Sequence, residues 1–172
     1  MKYDASIVQT RYDSPLGPMI VAATERGLAG VWFAGQRHLP DHAGWPHTPA
    51  HPVLVQAVAQ LSDYFAGRRT TFDVPLDLQG GTPFQQSVWR ALLAIPSGRT
   101  VSYGHLSREV GRPAAVRAVG AAVGRNPLSV VVPCHRVLGS DGSLTGYAGG
   151  LARKTALLTL EGALIADAHQ SR

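Results

Sequence analysis

One cysteine in 172 residues, Cys134, means that no internal disulfide can staple this chain. Its fold therefore has to rest on a packed apolar core, and a reducing compartment, the cytoplasm, is the expected setting. The length suits one or two small domains that can bury such a core. No basic-then-apolar leader reads as a signal peptide, and no apolar run approaches the roughly 20 residues of a membrane span.

Two patterns divide the chain near Gly80-Gly81. Residues 1–80 read as strands followed by a helix. Ser6 to Tyr12 and Met19 to Thr24 flank the turn cluster Asp13-Ser14-Pro15-Leu16-Gly17-Pro18, a hairpin signature. A third run, Leu28 to Ala34, follows Arg26-Gly27. The segment from Gln36 to Pro52, rich in proline and histidine, reads as loop. Val53 to Phe65 carries a helical apolar stripe ended by Gly67, and residues 71–78 alternate weakly enough to suggest an edge strand. The N-terminal domain is thus expected to be a small antiparallel sheet with one helix.

Residues 81–172 read mainly as helices, making the whole chain α+β. Thr82 and Gln85 form a capping-box pattern with Pro83 at the first helical position. The helix that follows is expected to bury Phe84, Val88, Leu92 and Ile95. Ser102 caps a short helix that stops at Gly111. Pro113 starts another, through Arg117 to about Gly124, and together they have a helix-turn-helix outline. Val130 to Val132 reads as a strand ended by Pro133. Val137-Leu138 and Ser143 to Tyr147 flank Gly139-Ser140-Asp141-Gly142 as a wing-like hairpin, and Ala152 to Leu160 forms a last amphipathic helix before a short C-terminal tail. Charge follows the same division: residues 1–80 carry net −1 and residues 81–172 net +6. A basic half is either a solvated surface or a nucleic-acid footprint.

Cys134 sits in Val130-Val131-Val132-Pro133-Cys134-His135-Arg136-Val137. A lone thiol beside an imidazole and a guanidinium reads as a nucleophile, its thiolate favoured by the basic neighbours. The same thiol also reads as a small buried hydrophobe. The residues alone leave both open.

Three stretches resemble the O6-alkylguanine-DNA alkyltransferases, and their order and spacing are similar to that family's from residue 81 to about 162. They are Gly81-Thr82-Pro83-Phe84-Gln85-Gln86-Ser87-Val88-Trp89 with Ile95-Pro96-Ser97-Gly98 and Ser102-Tyr103; Arg117-Ala118-Val119-Gly120-Ala121-Ala122 with Asn126-Pro127 and Pro133 to Val137; and Gly146-Tyr147-Ala148-Gly149-Gly150-Leu151 with Lys154, Leu157-Leu158 and Glu161-Gly162. The resemblance implies a ribonuclease H-like N-terminal domain and a C-terminal domain with a winged helix-turn-helix. It implies irreversible, stoichiometric transfer of an alkyl group from O6-alkylguanine, and also from O4-alkylthymine, in duplex DNA to Cys134, with no cofactor. In that reading His135 takes the thiol proton through a water, Glu161 orients the imidazole, Tyr103 donates to O6, and Asn126 braces the turn beneath the cysteine. Arg117 fills the gap left by a flipped base as its helix enters the minor groove. Gln85, Tyr103, Gly104, Arg112, Ala118, Gly120 and Ser140 contact DNA, while Val137, Leu144, Tyr147, Ala148 and Gly149 line the base pocket. The resemblance also implies a monomer, with cooperative assembly along DNA left open.

Two positions depart from the family pattern: Ser97 where relatives often carry an aromatic residue, and Ala148 where some carry serine, which removes a possible hydrogen bond beside the base. Some relatives bind zinc through N-terminal cysteines. This chain has none there, and His38, His42, His47 and His51 read as loop histidines rather than metal ligands. Two other readings compete: a winged-helix module that binds alkylated DNA without reacting, and a Cys-His hydrolase with Glu161 as third member. Cys134 argues against the first, and the basic helix-turn-helix is unexplained by the second.

Overall fold

A computed structural model describes residues 2–164, and the C-terminal tail lies outside the described residues. The chain forms two compact units: residues 1–82 with 127–131, and residues 83–126 with 132–172. In the first, β1 (Val8–Ser14), β2 (Gly17–Thr24) and β3 (Gly27–Phe33) form an antiparallel sheet in the order β1-β2-β3. Ser14 pairs with Gly17 at the hairpin turn, so β1 runs two residues further than the turn cluster suggested. Glycine at position 17, with φ 115°, allows that tight reversal.

Alternation puts Met19, Val21 and Ala23 on one face of β2, all fully buried. Helix α1 (Pro52–Phe65) packs on the sheet through Leu54, Ala57, Leu61 and Tyr64. A second cluster, Ile7, Ala22, Ala29 and Trp32, is covered by Tyr3, Ile20, Leu39 and Trp45 and contains no α1 residue. β3 is therefore buried throughout. Gly30 is obligatory, because a Cβ there would collide with the Trp32 indole. Two loop histidines have local work: His51 Nδ1 accepts the Val53 N–H at the start of α1, and His42 Nδ1 lies 2.9 Å from Gln9 Oε1.

The edge strand expected over 71–78 reduces to one parallel bridge, Leu28 with Leu76. Leu28 N–H donates to Pro75 O at 2.7 Å and Asp77 N–H to Leu28 O at 2.8 Å. Pro75 has no N–H to extend the ladder.

In the second unit α2 (Pro83–Leu92) buries Val88, Trp89 and Leu92. Phe84 stays half-buried, and Ile95 is buried from the turn beyond the helix. The side chain not anticipated is Trp89, fully buried, whose Nε1–H donates to Ala122 O at 2.8 Å. That bond ties α2 to the helix that carries Ala122. Helix α3 (Tyr103–Glu109) starts at Ser102, whose Oγ accepts the His105 N–H at 3.0 Å.

Helix α4 (Val116–Gly124) starts three residues later than expected, since Pro113 and Ala114 are spent in the turn between the helices. The wing is also corrected. Two-residue strands β4 (Val101–Ser102) and β5 (Val137–Leu138) pair with each other in parallel, and residues 143–147 form no strand. The turn between is closed by Gly139 N–H donating to Ser143 O at 2.9 Å. Helix α5 (Leu151–Leu160) completes the unit.

Candidate active site

The run leading to Cys134 is not a strand. Val130 has φ 73°, a left-handed conformation that is unfavourable for a β-branched residue. Backbone bonds then close over two residues, Val131 N–H to Ser129 O at 2.9 Å and Cys134 N–H to Val132 O at 2.8 Å. Asn126 Nδ2 donates to Val132 O at 2.8 Å. The consecutive tight turns project Cys134 as the first residue of a 3₁₀ turn, Cys134–Arg136.

Cys134 is 7% exposed. Burial pushes its thiol up from the ordinary value, while a hydrogen bond from Asn126 and the charge of Lys154 pull it back. The neighbouring imidazole and guanidinium do not supply the cation that the sequence suggested. Lys154 does. It is fully buried on α5, and its Nζ donates to Val137 O at 2.7 Å, Thr145 O at 2.8 Å and Gly146 O at 3.2 Å. Three carbonyl acceptors match the three donors of an ammonium. Burial lowers its pKa to about 8, and the cysteine charge opposes that shift. Lys154 was legible only as a motif residue; its burial and acceptors depend on tertiary structure.

His135 is fully buried and its Nε2 lies 2.8 Å from Glu161 Oε2. A carboxylate there fixes the tautomer with the proton on Nε2, leaving the Nδ1 lone pair as the basic site. Nδ1 is buried and meets no hydrogen-bond partner among the described residues. Burial pushes the imidazole below its ordinary value, Glu161 opposes this, and the Arg136 and Lys154 charges add to it. Glu161 is the C-cap of α5, and its side chain is 1% exposed.

Tyr103 opens α3. Its ring lies against Gly120 of α4, where an added Cβ would stand 3.8 Å from Cδ1. Burial raises its hydroxyl, a bond with the Thr145 side chain opposes that, and the Cys134 charge also acts on it. Cys134, Asn126, Lys154 and Tyr103 therefore share one electrostatic neighbourhood.

The other expected residues sit farther out along the unit. Arg117, Ala118 and Ala121 are exposed on α4, with Ala114 before it and Arg125 after it along one face. Gly104 and Gln85 are half-buried on α3 and α2, and Ser140 is exposed in the turn after β5. Arg112 is exposed, with its guanidinium 5.8 Å from the centre of the Phe84 ring. Val137 and Gly149 are buried, while Leu144, Tyr147 and Ala148 are half-buried. Among the described residues no group of three or more His, Cys, Asp or Glu could hold a metal ion.

A single enclosed thiol, a histidine–carboxylate pair and a helix-turn-helix in one unit define a class: proteins that carry a reactive-cysteine architecture on a DNA-binding scaffold. Comparisons make the class specific. Residues 83–163 match the DNA-binding domain, and residues 7–78 the ribonuclease-like domain, of 6-O-methylguanine DNA methyltransferase. The chain is 58% identical over 169 residues to a methylated-DNA–protein-cysteine methyltransferase of Salmonella typhimurium, covering 92% of this chain and 98% of that protein. It is 50% identical over 149 residues to one from Mycobacterium leprae, covering 87% and 88%. A crystal structure of Mycobacterium tuberculosis OGT in complex with DNA superposes with a TM-score of 0.81 at 47% identity, covering 91% and 92%. The chain belongs to the 6-O-methylguanine DNA methyltransferase family.

Proposed function

We propose that this protein repairs duplex DNA by moving the alkyl group of O6-alkylguanine, and of O4-alkylthymine, onto Cys134. The observation that carries the residue assignment is one buried thiol, hydrogen-bonded to Asn126 and electrostatically coupled to Lys154 and Tyr103, in the unit that also holds the helix-turn-helix. The reaction is a displacement at a saturated carbon. The Cys134 thiolate forms the S–C bond, the C–O6 bond breaks, and its electron pair stays on the guanine, whose developing charge at O6 is held by a hydrogen-bond donor until the base takes up one proton, equal to the one the thiol gave up, and leaves neutral. Tyr103 supplies that donor. His135 Nδ1 receives the thiol proton through a water, and the Lys154 ammonium stabilises the thiolate. The atoms balance without a cofactor.

A base stacked in a duplex is out of reach of a thiol that is 7% exposed, so it has to be extruded. Arg117, in the first turn of α4, fills the gap. The exposed Ala114, Ala118 and Ala121 give that helix the slim face a minor groove demands, with Gly120 seating it on Tyr103. Gly104, Gln85, Arg112 and Ser140 contact the backbone, and Val137, Leu144, Tyr147, Ala148 and Gly149 form the base pocket. Residues 1–80 are the supporting domain and residues 81–172 the transferring one. The protein works in the cytoplasm; no helix among the described residues is long and apolar enough to cross a membrane. The product is a thioether with no activated carbon, so each molecule acts once.

Incubation with excess O6-methylguanine duplex followed by intact-mass measurement tests this. One gain of about 14 Da per molecule, mapped to Cys134, is expected from transfer of one methyl group. Tight binding with no gain would instead mean a module that reads lesions.

A further inference from the structure

We propose that Arg136 is a positioning residue of this site: its guanidinium grips Glu161 and offsets its charge, so that His135 stays neutral and can act as a base. The proposal rests on the role given above to His135. Arg136 adjoins the Cys134-His135 pair, yet its side chain turns to a different task. Nε donates to Glu161 Oε1 at 2.8 Å and Nη2 to Glu161 Oε2 at 2.9 Å, a two-pronged grip. Nη1 donates to Ile95 O at 2.6 Å, anchoring the fork to the turn after α2. The guanidinium side chain is 7% exposed and the carboxylate 1%, so both charges lie largely out of bulk solvent.

Glu161 has reason to be elsewhere. It caps the C-terminus of α5, the negative end of the helix dipole, where a carboxylate is disfavoured. Its Oε2 also lies 2.8 Å from His135 Nε2. Without a cation beside it, a buried carboxylate bonded to an imidazole would draw a proton into the pair, and an imidazolium has no lone pair with which to accept the thiol proton. Arg136 removes that pull while leaving the Nε2–H bond intact. The charged groups acting on His135 are Glu161, which favours the imidazolium, and Arg136 and Lys154, which oppose it. Lysine in place of Arg136 would keep the charge but could not span both carboxylate oxygens and the Ile95 carbonyl.

The test is a pH titration of the His135 ring by NMR in the wild type, Arg136→Met and Arg136→Lys, beside single-turnover transfer from O6-methylguanine duplex across the same range. In Arg136→Met the proton uptake of the His135–Glu161 pair should move up by about one pH unit or more, and the acid limb of the transfer rate should move with it. Arg136→Lys should keep the wild-type limb and transfer about tenfold more slowly, from lost geometry. An unmoved titration and acid limb in Arg136→Met, with only a lower melting temperature, would reduce Arg136 to a structural staple. If Arg136→Met does not fold, Arg136→Lys decides, and transfer at the wild-type rate and limb would overturn the proposal. A wild type that transfers nothing would instead overturn the reading of the site, while the ring titration would still judge Arg136.

Discussion

The two units bury polar groups in opposite ways. Among the described residues of the sheet unit the buried polar groups are mostly neutral, Gln9, Thr24, Gln36, Gln60 and Ser129, and the one buried acid, Asp77, accepts from Thr24 Oγ1 at 2.6 Å and pairs with the partly exposed Arg26. In the helical unit the buried set includes Cys134, His135, Arg136 and Lys154, with the Glu161 side chain among them. Burying ionisable groups costs several kcal/mol each unless they are paired. Packing alone would favour apolar residues at those positions, so their concentration in one unit marks where the chemistry is. One half of the molecule is organised for cohesion and the other for reactivity.

The largest expected effect tests the reactive half. Cys134→Ser should lower alkyl transfer by more than about a thousandfold, because a hydroxyl is a far weaker nucleophile than a thiolate, while duplex binding stays within a few-fold. Transfer that persists in this variant would exclude Cys134 as the alkyl acceptor.

Next in size is Arg117→Ala. Repair of a lesion in duplex should slow by about a hundredfold if, as proposed, Arg117 holds the flipped state, while reaction with free O6-benzylguanine changes little. Equal slowing of both would place Arg117 in chemistry or folding rather than extrusion.

Lys154→Met sharpens the electrostatic side. Burial already raises the Cys134 thiol, and Lys154 is the cation opposing it. Without that charge the thiol rises further, so thiolate appears only at higher pH. Alkylation by iodoacetamide at neutral pH should fall about tenfold per unit of that rise, with the rate–pH curve displaced to higher pH. A curve that stays in place would show that the ammonium serves its three carbonyls alone.

The smallest effect on chemistry is expected in the cohesive half. Gly30→Ala drives a methyl into the Trp32 indole and should destabilise the protein by about 1–3 kcal/mol, the usual cost of overpacking. The melting temperature should drop by several degrees while the transfer rate per folded molecule holds. A matching loss of rate would erase the division between the two halves.

Some features were legible because their cause is local. The helix over 53–65 follows from periodicity, the Ser102 cap from one hydroxyl before a helical pattern, and the β1–β2 hairpin from its turn residues. Others failed where a distant partner decides. Val130 to Val132 has the composition of a strand, yet it bends into successive tight turns braced by Asn126. Val137-Leu138 pairs with Val101-Ser102 rather than with the segment after the turn, so the hairpin pattern was right about the turn and wrong about the ladder. Trp89 was missed because its value lies in a bond to Ala122, 33 residues away.

By itself the sequence determined the α+β order and the family, since these depend on periodicity, composition and motif spacing. Only the tertiary structure decided which charges serve which groups. Arg136, adjacent to Cys134-His135 in the chain, turns its guanidinium to Glu161 and Ile95, whereas Lys154, twenty residues on, is the cation whose charge acts on the thiol. Electrostatic coupling depends on distance through space and on burial, and neither can be read from adjacency along a chain.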